Sequence, residues 1–326
     1  MKKLYFSFLF IIISQFDLFG QTFTAGGINY KITSVSPAEV AVAPHTTFSG
    51  VANIPSTVTN ASVTYNVTSI GDSSFYNCSG LTSIITPNSV TSIGNFAFFT
   101  CSSLTSVSIP SSVLSIGSSA FFTCTALTNI NIPNSVTNIG EAAFGKTGLT
   151  TINIPNSIQT IANHTFFNCI SLATVTIPSS VTAIGNFAFY GCGLTSVTVD
   201  WSSPLIIAPQ VFEAVNLSGV TLVVPEGTIS LYQSTAVWED FGFFSSLGIT
   251  DLTNEDNYMN IYPNPAKESL TIESNEATTL RLVSVQGQQL KTIQLETQTT
   301  IDVSNLSPGI YLLIGDNNQA IRFIKE

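Results

Sequence analysis

From about residue 67 to residue 224 the chain repeats one pattern of apolar and polar positions. Between Pro87 and Ile109 it reads PNSVTSIGNFAFFTCSSLTSVSI, and the string returns as PSSVLSIGSSAFFTCTALTNINI from Pro110 and PNSVTNIGEAAFGKTGLTTINI from Pro133. It returns again as PNSIQTIANHTFFNCISLATVTI from Pro155 and PSSVTAIGNFAFYGCGLTSVTV from Pro178. The period is 23 residues, or 22 where one loop residue is missing; Val67 to Thr86 is an incomplete copy and Ala208 to Val224 a degraded one. Each copy ends in L-x-x-[IV]-x-[IV], as in Leu104, Val107 and Ile109, and this alternation has the period of two of a short strand. Stacked copies are expected to pair these strands into one parallel sheet at about 4.8 Å per coil. A second apolar pair, such as Val90 and Ile93, precedes a Gly placed to turn the chain, and Phe98 follows. No such unit can bury its apolar residues alone, so the predicted fold class is a repeat solenoid: a parallel β-sheet with short helical or irregular returns.

Two columns stand out once the copies are aligned. Phe75, Phe98, Phe121, Phe144, Phe166, Phe189 and Phe212 hold one repeat position without variation, which marks them as core rings stacked roughly 4.5–7 Å apart rather than as ligand contacts. All five cysteines, Cys78, Cys101, Cys124, Cys169 and Cys192, share another position, filled by Thr147 in the remaining copy. Rungs of a ladder point the same way and hold their Cβ atoms about 4.8 Å apart, against the roughly 3.8 Å of a disulfide, so free buried thiols are expected.

The rest of the chain differs in character. Lys2 and Lys3 followed by the apolar run Leu4 to Ile13 have the form of an export signal, with Gly20 available for cleavage before Gln21. No Cys follows that would take a lipid, and no other apolar run is long enough to cross a membrane. Beyond residue 260 lie five of the nine basic residues, Lys267, Arg281, Lys291, Arg322 and Lys325, a shift in composition that marks a second domain. Alternating pairs there (Leu270 and Ile272, Leu280 and Leu282, Ile301 and Val303, Tyr311 and Leu313, Ile321 and Phe323), with a turn at Gln286-Gly287, predict a small antiparallel sandwich. Charged residues make up only 9% of the chain and the net charge is −10, which argues against nucleic acid or anionic lipid as a partner.

The repeat SIGxxAFxxCxxLTSVxIPxSV resembles the BspA-like leucine-rich repeat over about residues 56 to 224, and VPEGTISLYQSTAVWEDF (Val224 to Phe241) resembles its capping segment. FTAGGINYKI and FSGVANIPSTV, between Phe23 and Val58, resemble its N-terminal lead-in. The stretch from NIYPNPAKESLTI to IDVSNLSPGIYLLIGDNNQAIRFIKE is similar to the type A C-terminal sorting domain of the type IX secretion system. The expected domains are therefore a signal peptide (1–20), a lead-in (21–55), the solenoid with its cap (56–246), a linker (247–258) and the sorting domain (259–326). The resemblance implies passage across the outer membrane through the secretion machinery, usually followed by removal of residues 259–326. It also implies a secreted or cell-surface protein, with some family members acting as adhesins on proteins or glycans.

Candidate chemistry is sparse. The two histidines, His45 and His164, sit apart, and no Cys pairs with a His at metal spacing, so no cofactor or metal and no catalytic residue is predicted. GDSS at Gly71 to Ser74 resembles an esterase nucleophile block, but it occupies the repeat position that elsewhere reads GNFA or GSSA. Asp251, Glu255 and Asp256 lack the Gly and the spaced Glu of an EF-hand loop and suit a solvated linker. Two surfaces remain. Outward positions on the strands carry Ser106, Ser108, Asn129, Asn131, Thr151, Asn153, Thr174, Thr176, Ser196 and Thr198. This uncharged grid is either the ordinary wet side of a strand or a docking surface for an extracellular protein or glycan. The residues after the core Phe, namely Tyr76, Phe99, Phe122, Phe167 and Tyr190, interrupted by Gly145, form an aromatic stripe, either buried against loops or open to sugars or proteins. The predicted function is a non-catalytic binding or adhesion protein. The alternatives are a structural surface protein without a ligand, and a glycan- or ice-binding solenoid.

Overall fold

A computed structural model describes residues 18–247, 259–274, 277–284, 289–315 and 320–326. The expected export signal before residue 18, the acidic linker segment 248–258 and the Gln286-Gly287 turn lie outside the described residues. The chain divides into two compact units, one up to Ser245 and one from Ser246 onward, with Pro225–Gly227 grouped with the second.

The first unit is a parallel β-solenoid. Its L-x-x-[IV]-x-[IV] segments form a front ladder in two pieces, Gly80–Ile85 with Ser106–Val107, then Thr151–Asn153, Thr174–Ile177 and Ser196–Val199; Ser49–Asn53 of the lead-in extends the first piece and the degraded copy's Thr221–Pro225 the second. The expectation of one parallel sheet needs correcting twice. The front ladder is interrupted at the coil Leu127 to Ile132, which contains no strand. A second, rear ladder arises from the short pair before the Gly: Val63–Ile70, Ser92–Ile93, Ser115–Ile116 and Asn138–Ile139 run parallel in register, as do Thr160–Ile161 and Ala183–Ile184. The reason is geometric. A coil has two nearly straight sides, and the second carries only a Val-x-x-Ile pair and two-residue strands, too short for alternation to register.

The role of the Gly also differs from expectation. Gly94, Gly117, Gly140 and Gly185 do not adopt positive φ. A Cβ on Gly117 would lie 2.5 Å from the Asn95 nitrogen and the Gly94 carbonyl carbon, so Gly is there to let successive coils close up. The left-handed turns are made by other residues: Phe96 (φ 55), Ser119 (φ 52), Ala142 (φ 55), His164 (φ 58) and Phe187 (φ 60), and again four residues later at Thr100, Thr123, Lys146 and Asn168. These rotations aim alternate N–H groups along the solenoid. Phe96, Phe98 and Thr100 donate to the carbonyls of Ser118, Ala120 and Phe122 at 2.7–2.9 Å, and the next coils repeat the pattern.

Inside, the Phe column is continuous and fully buried, with neighbouring rings 5.1–5.7 Å apart and within 14° of parallel from Phe75 to Phe212. Burying each ring stabilises by about 1.5–3 kcal/mol, with more from ring–ring contact. At its far end Phe212 meets Trp238 and Phe241 edge-on, at 6.0 and 5.6 Å. The lead-in closes the near end with a meander of Thr22–Ala25, Ile28–Val35 and Ala38–Val42, the last running parallel to Val63–Ile70.

The second unit contains two antiparallel sheets. One orders Met259–Tyr262, Ser269–Ser274 and Gln298–Asp302; the other orders Gln289–Leu295, Thr278–Ser284, Gly309–Ile314 and Ala320–Lys325. Their inward alternation gives a core of Leu270, Ile272, Leu280, Leu282, Ile293, Ile301, Tyr311, Leu313, Ile321 and Phe323, as the apolar pairs in the sequence predict.

Candidate binding face of the solenoid

Alternation along each front strand turns Leu and Ile inward and the polar partners outward. Ser106, Ser108, Asn129, Asn131, Thr151, Asn153 and Thr174 are exposed, and Thr176, Ser196 and Thr198 are half-buried. Many hydroxyls on this side are committed to holding coils together. Ser106 donates to the Ser83 hydroxyl at 2.9 Å and Thr174 to that of Thr151 at 2.8 Å, while Thr105 and Thr195 reach the carbonyls of Thr82 and Ala173 one coil back. The amides differ: among the described residues Asn129, Asn131 and Asn153 make no side-chain hydrogen bond.

Those amides surround the interruption of the front ladder. A cavity of about 560 Å³ opens there, lined by residues 129–134 and 151–156. Among the described residues no ladder pair and no backbone hydrogen bond joins residues 129–132 to the coil on either side. Asn stands at both outward positions of this coil, where the others have Thr or Ser in at least one, and Asn is depleted in strands relative to Thr. That doubled Asn is the signal in the sequence that a break occurs here.

The aromatic stripe forms two short stacks. Tyr76, Phe99 and Phe122 lie 5.1 and 5.4 Å apart, and Phe167 and Tyr190 lie 4.9 Å apart, all within 14° of parallel. Phe96 and Phe187 add edge-on contacts at 5.8 and 5.9 Å. Tyr76 is 41% exposed and the other four are half-buried. Because the ring faces meet each other, solvent reaches mainly their edges. At Gly145 the Phe122 ring leans into the vacant side-chain space, and Lys146 Nζ sits 5.6 Å over it.

The residues weighed for catalysis have structural partners. Ser74 is fully buried, and its hydroxyl donates to the carbonyls of Val42, at 3.1 Å, and Gly71. The Asp72 carboxylate accepts the Asn95 N–H at 2.7 Å, and Asn95 and Asn163 accept from Ser118 and Asn186 in the same manner. His164 Nδ1 is 3.3 Å from Glu141, with its ring stacked on Phe187 at 5.2 Å. Among the described residues no three His, Cys, Asp or Glu side chains gather as metal ligands, and Asp251, Glu255 and Asp256 lie outside the described residues.

The five thiols are free and buried. Cys101, Cys124, Cys169 and Cys192 each donate to the carbonyl of a core Phe one coil back, at 3.0–3.1 Å. Burial pushes the Cys78 and Cys124 thiols up, and that of Cys101 to about 12, so these sulfurs are inert protonated groups in the packing.

A parallel solenoid with an uncharged strand face, followed by an all-β tail, defines a leucine-rich-repeat surface protein. The model of the BspA type leucine rich repeat region matches six copies over residues 46–170 and 137–264, and the chain belongs to that family. Residues 260–325 match the secretion system C-terminal sorting domain, which directs the protein to the outer cell surface by the type IX route. No curated protein matches the chain. Among solved structures it is similar to a leucine-rich repeat protein from Bacteroides ovatus, at 23% identity over 69% of this chain and 76% of that one, TM-score 0.43. It is also similar to the T. pallidum leucine rich repeat protein, at 23% identity over 55% and 86%, TM-score 0.44. The pneumococcal vaccine antigen PcpA matches at 14% identity over 71% and 99%, TM-score 0.28.

Proposed function

We propose that this protein is a non-catalytic binding or adhesion protein, displayed or released at the cell surface, whose solenoid docks an extracellular protein or glycan on its front face. The observation that carries this is the row of exposed Asn129, Asn131 and Asn153 amides, which have no partner among the described residues and flank an open cavity. Exposed amides that nothing among the described residues engages keep two donors and an acceptor each for a ligand. Residues 259–326 engage the secretion machinery, and the chain's acidity keeps it off nucleic acid and anionic lipid.

The structural alternative, a surface protein without a ligand, draws on the coil-to-coil hydroxyl bonds, which account for much of the grid without any partner. Ice binding calls for a flat unbroken grid, and the interruption at residues 129–132 counts against it. Probing an array of glycans and extracellular proteins with the full chain decides between these. Discrete ligands are expected, and a blank array would favour the structural role.

A further inference from the structure

We propose that the break in the front ladder is a site for one neutral segment of a glycan chain, seated on the amides of Asn129, Asn131, Asn134, Asn153 and Asn156 with the Thr151 hydroxyl. This rests on the reading of the front face as a binding surface and names its ligand class.

The break is local. Ser106–Val107 pair only with Ser83 and Ile84, and Thr151–Asn153 only with Thr174–Thr176. Behind them the same coils stay in contact: Ser115 and Ile116 pair in register with Asn138 and Ile139, and the Phe121 and Phe144 rings are 5.5 Å apart. An inserted peptide strand needs about 4.8 Å on each side of itself, roughly twice the spacing these contacts permit. A ligand must therefore lie across the front of the cavity and be read by side chains.

The lining then selects the ligand. It holds no ionisable residue, so nothing there neutralises a carboxylate or phosphate, and the net charge of −10 opposes either. Each amide offers two donors and an acceptor oxygen. Adjacent sugar hydroxyls both donate and accept, so one amide satisfies a pair of them. Asn131 and Asn153 stand in one row and Asn134 and Asn156 in another, each pair one coil apart. Two amide rows repeating at the coil spacing suit a polymer whose units repeat, and the cavity of about 560 Å³ has room for a short segment of it.

The test is calorimetric titration of the full chain with neutral gluco-, manno- and xylo-oligosaccharides. At least one should bind. Asn131→Ala with Asn153→Ala should weaken it about tenfold or more, because each loses hydrogen bonds to the sugar. Asn129→Thr with Asn131→Thr should rebuild the strand, raise the melting temperature and abolish binding. Gln159→Ala with Thr182→Ala, exposed beside the rear ladder and away from the cavity, should leave affinity within about twofold. Unchanged affinity in the first variant, or no binding by any neutral oligosaccharide, overturns the proposal. If sugars fail but an extracellular protein binds through Ser106, Asn129 and Thr151, the glycan site is wrong and the front-face reading stands; if neither binds, both are wrong.

Discussion

The imidazole of His45 lies flat on Phe75, with ring centroids 4.8 Å apart and planes 6° from parallel, in the place a preceding coil would fill with phenylalanine. Its Nδ1–H donates to the Ser74 carbonyl at 3.0 Å, and its Nε2 accepts the Asn29 N–H at 3.0 Å. Those two bonds select the neutral Nδ1–H tautomer. One buried side chain thus ends the apolar column and ties the lead-in to the first coil.

His45→Ala should lower stability by about 3 kcal/mol, since it uncovers the end of the Phe column and leaves both hydrogen-bonding groups behind. His45→Phe keeps the stack and loses only the polar bonds, so its loss should be about 1–3 kcal/mol. Urea midpoints should fall in the order wild type, His45→Phe, His45→Ala. A wild-type midpoint for His45→Ala would show that the lead-in does not cap the column.

Replacing Ala142 by Gly should stabilise by about 0.5–1 kcal/mol, because Ala142 holds φ at 55° and a left-handed residue with a Cβ is strained. Gly117→Ala should act in the opposite direction, by about 1–3 kcal/mol, as its Cβ would press on the backbone of the previous coil. Ala162, which fills the equivalent position, shows that a coil can yield this far. Thermal melts of the two variants should move in opposite directions; a shared sign would refute the division of labour between these positions.

Thiol counting should find five free thiols after denaturation without reductant and almost none reactive in the native protein; fewer than five would mean bridges. Burial on folding raises the Cys78 and Cys124 thiols, and raises the Cys101 thiol and the Tyr30 and Tyr232 phenols to about 12. The folded chain therefore keeps protons that the unfolded chain releases above about pH 9. This stabilisation is intact below that pH and disappears as the pH rises toward 12. Melting temperatures in the presence of reductant should fall steadily across that window, and a flat profile would contradict the burial of these groups.

Deleting residues 259–326 should leave a folded solenoid held in the periplasm, because the sorting match is confined to that unit and each unit has its own core. Cell fractionation with a folding-sensitive probe checks both parts. Truncated protein outside the cell would separate export from this segment.

The coil and the Phe column were legible because every copy repeats them, and the thiol ladder because all five cysteines fall at one repeat position; a residue such as Phe121 needs only its neighbours above and below to explain it. Three features were less open to inspection. Rear strands such as Ser115–Ile116 are two residues long, too short for periodicity to register. Left-handed Phe96 and Ser119 carry side chains that ordinarily avoid that conformation, so nothing in their type announces it. His45 lies outside the repeat and acquires its role only when the chain folds back onto Phe75. At the candidate site the exposed amides could be named from alternation, while the break between Val107 and Thr151 follows from a competition between Asn propensity and ladder pairing that only the three-dimensional stack resolves.

The most direct test of the front face as the working surface is the affinity of the full chain for its partner, compared with that of the Ser106→Ala, Asn129→Ala, Thr151→Ala variant. These exposed side chains should each change stability by no more than about 0.5 kcal/mol. At an interface each lost hydrogen bond should remove about 0.5–1.5 kcal/mol of binding, so three together weaken it at least about tenfold. A folded variant that binds at wild-type affinity would contradict the account and move the search to the aromatic stacks around Tyr76 and Phe167.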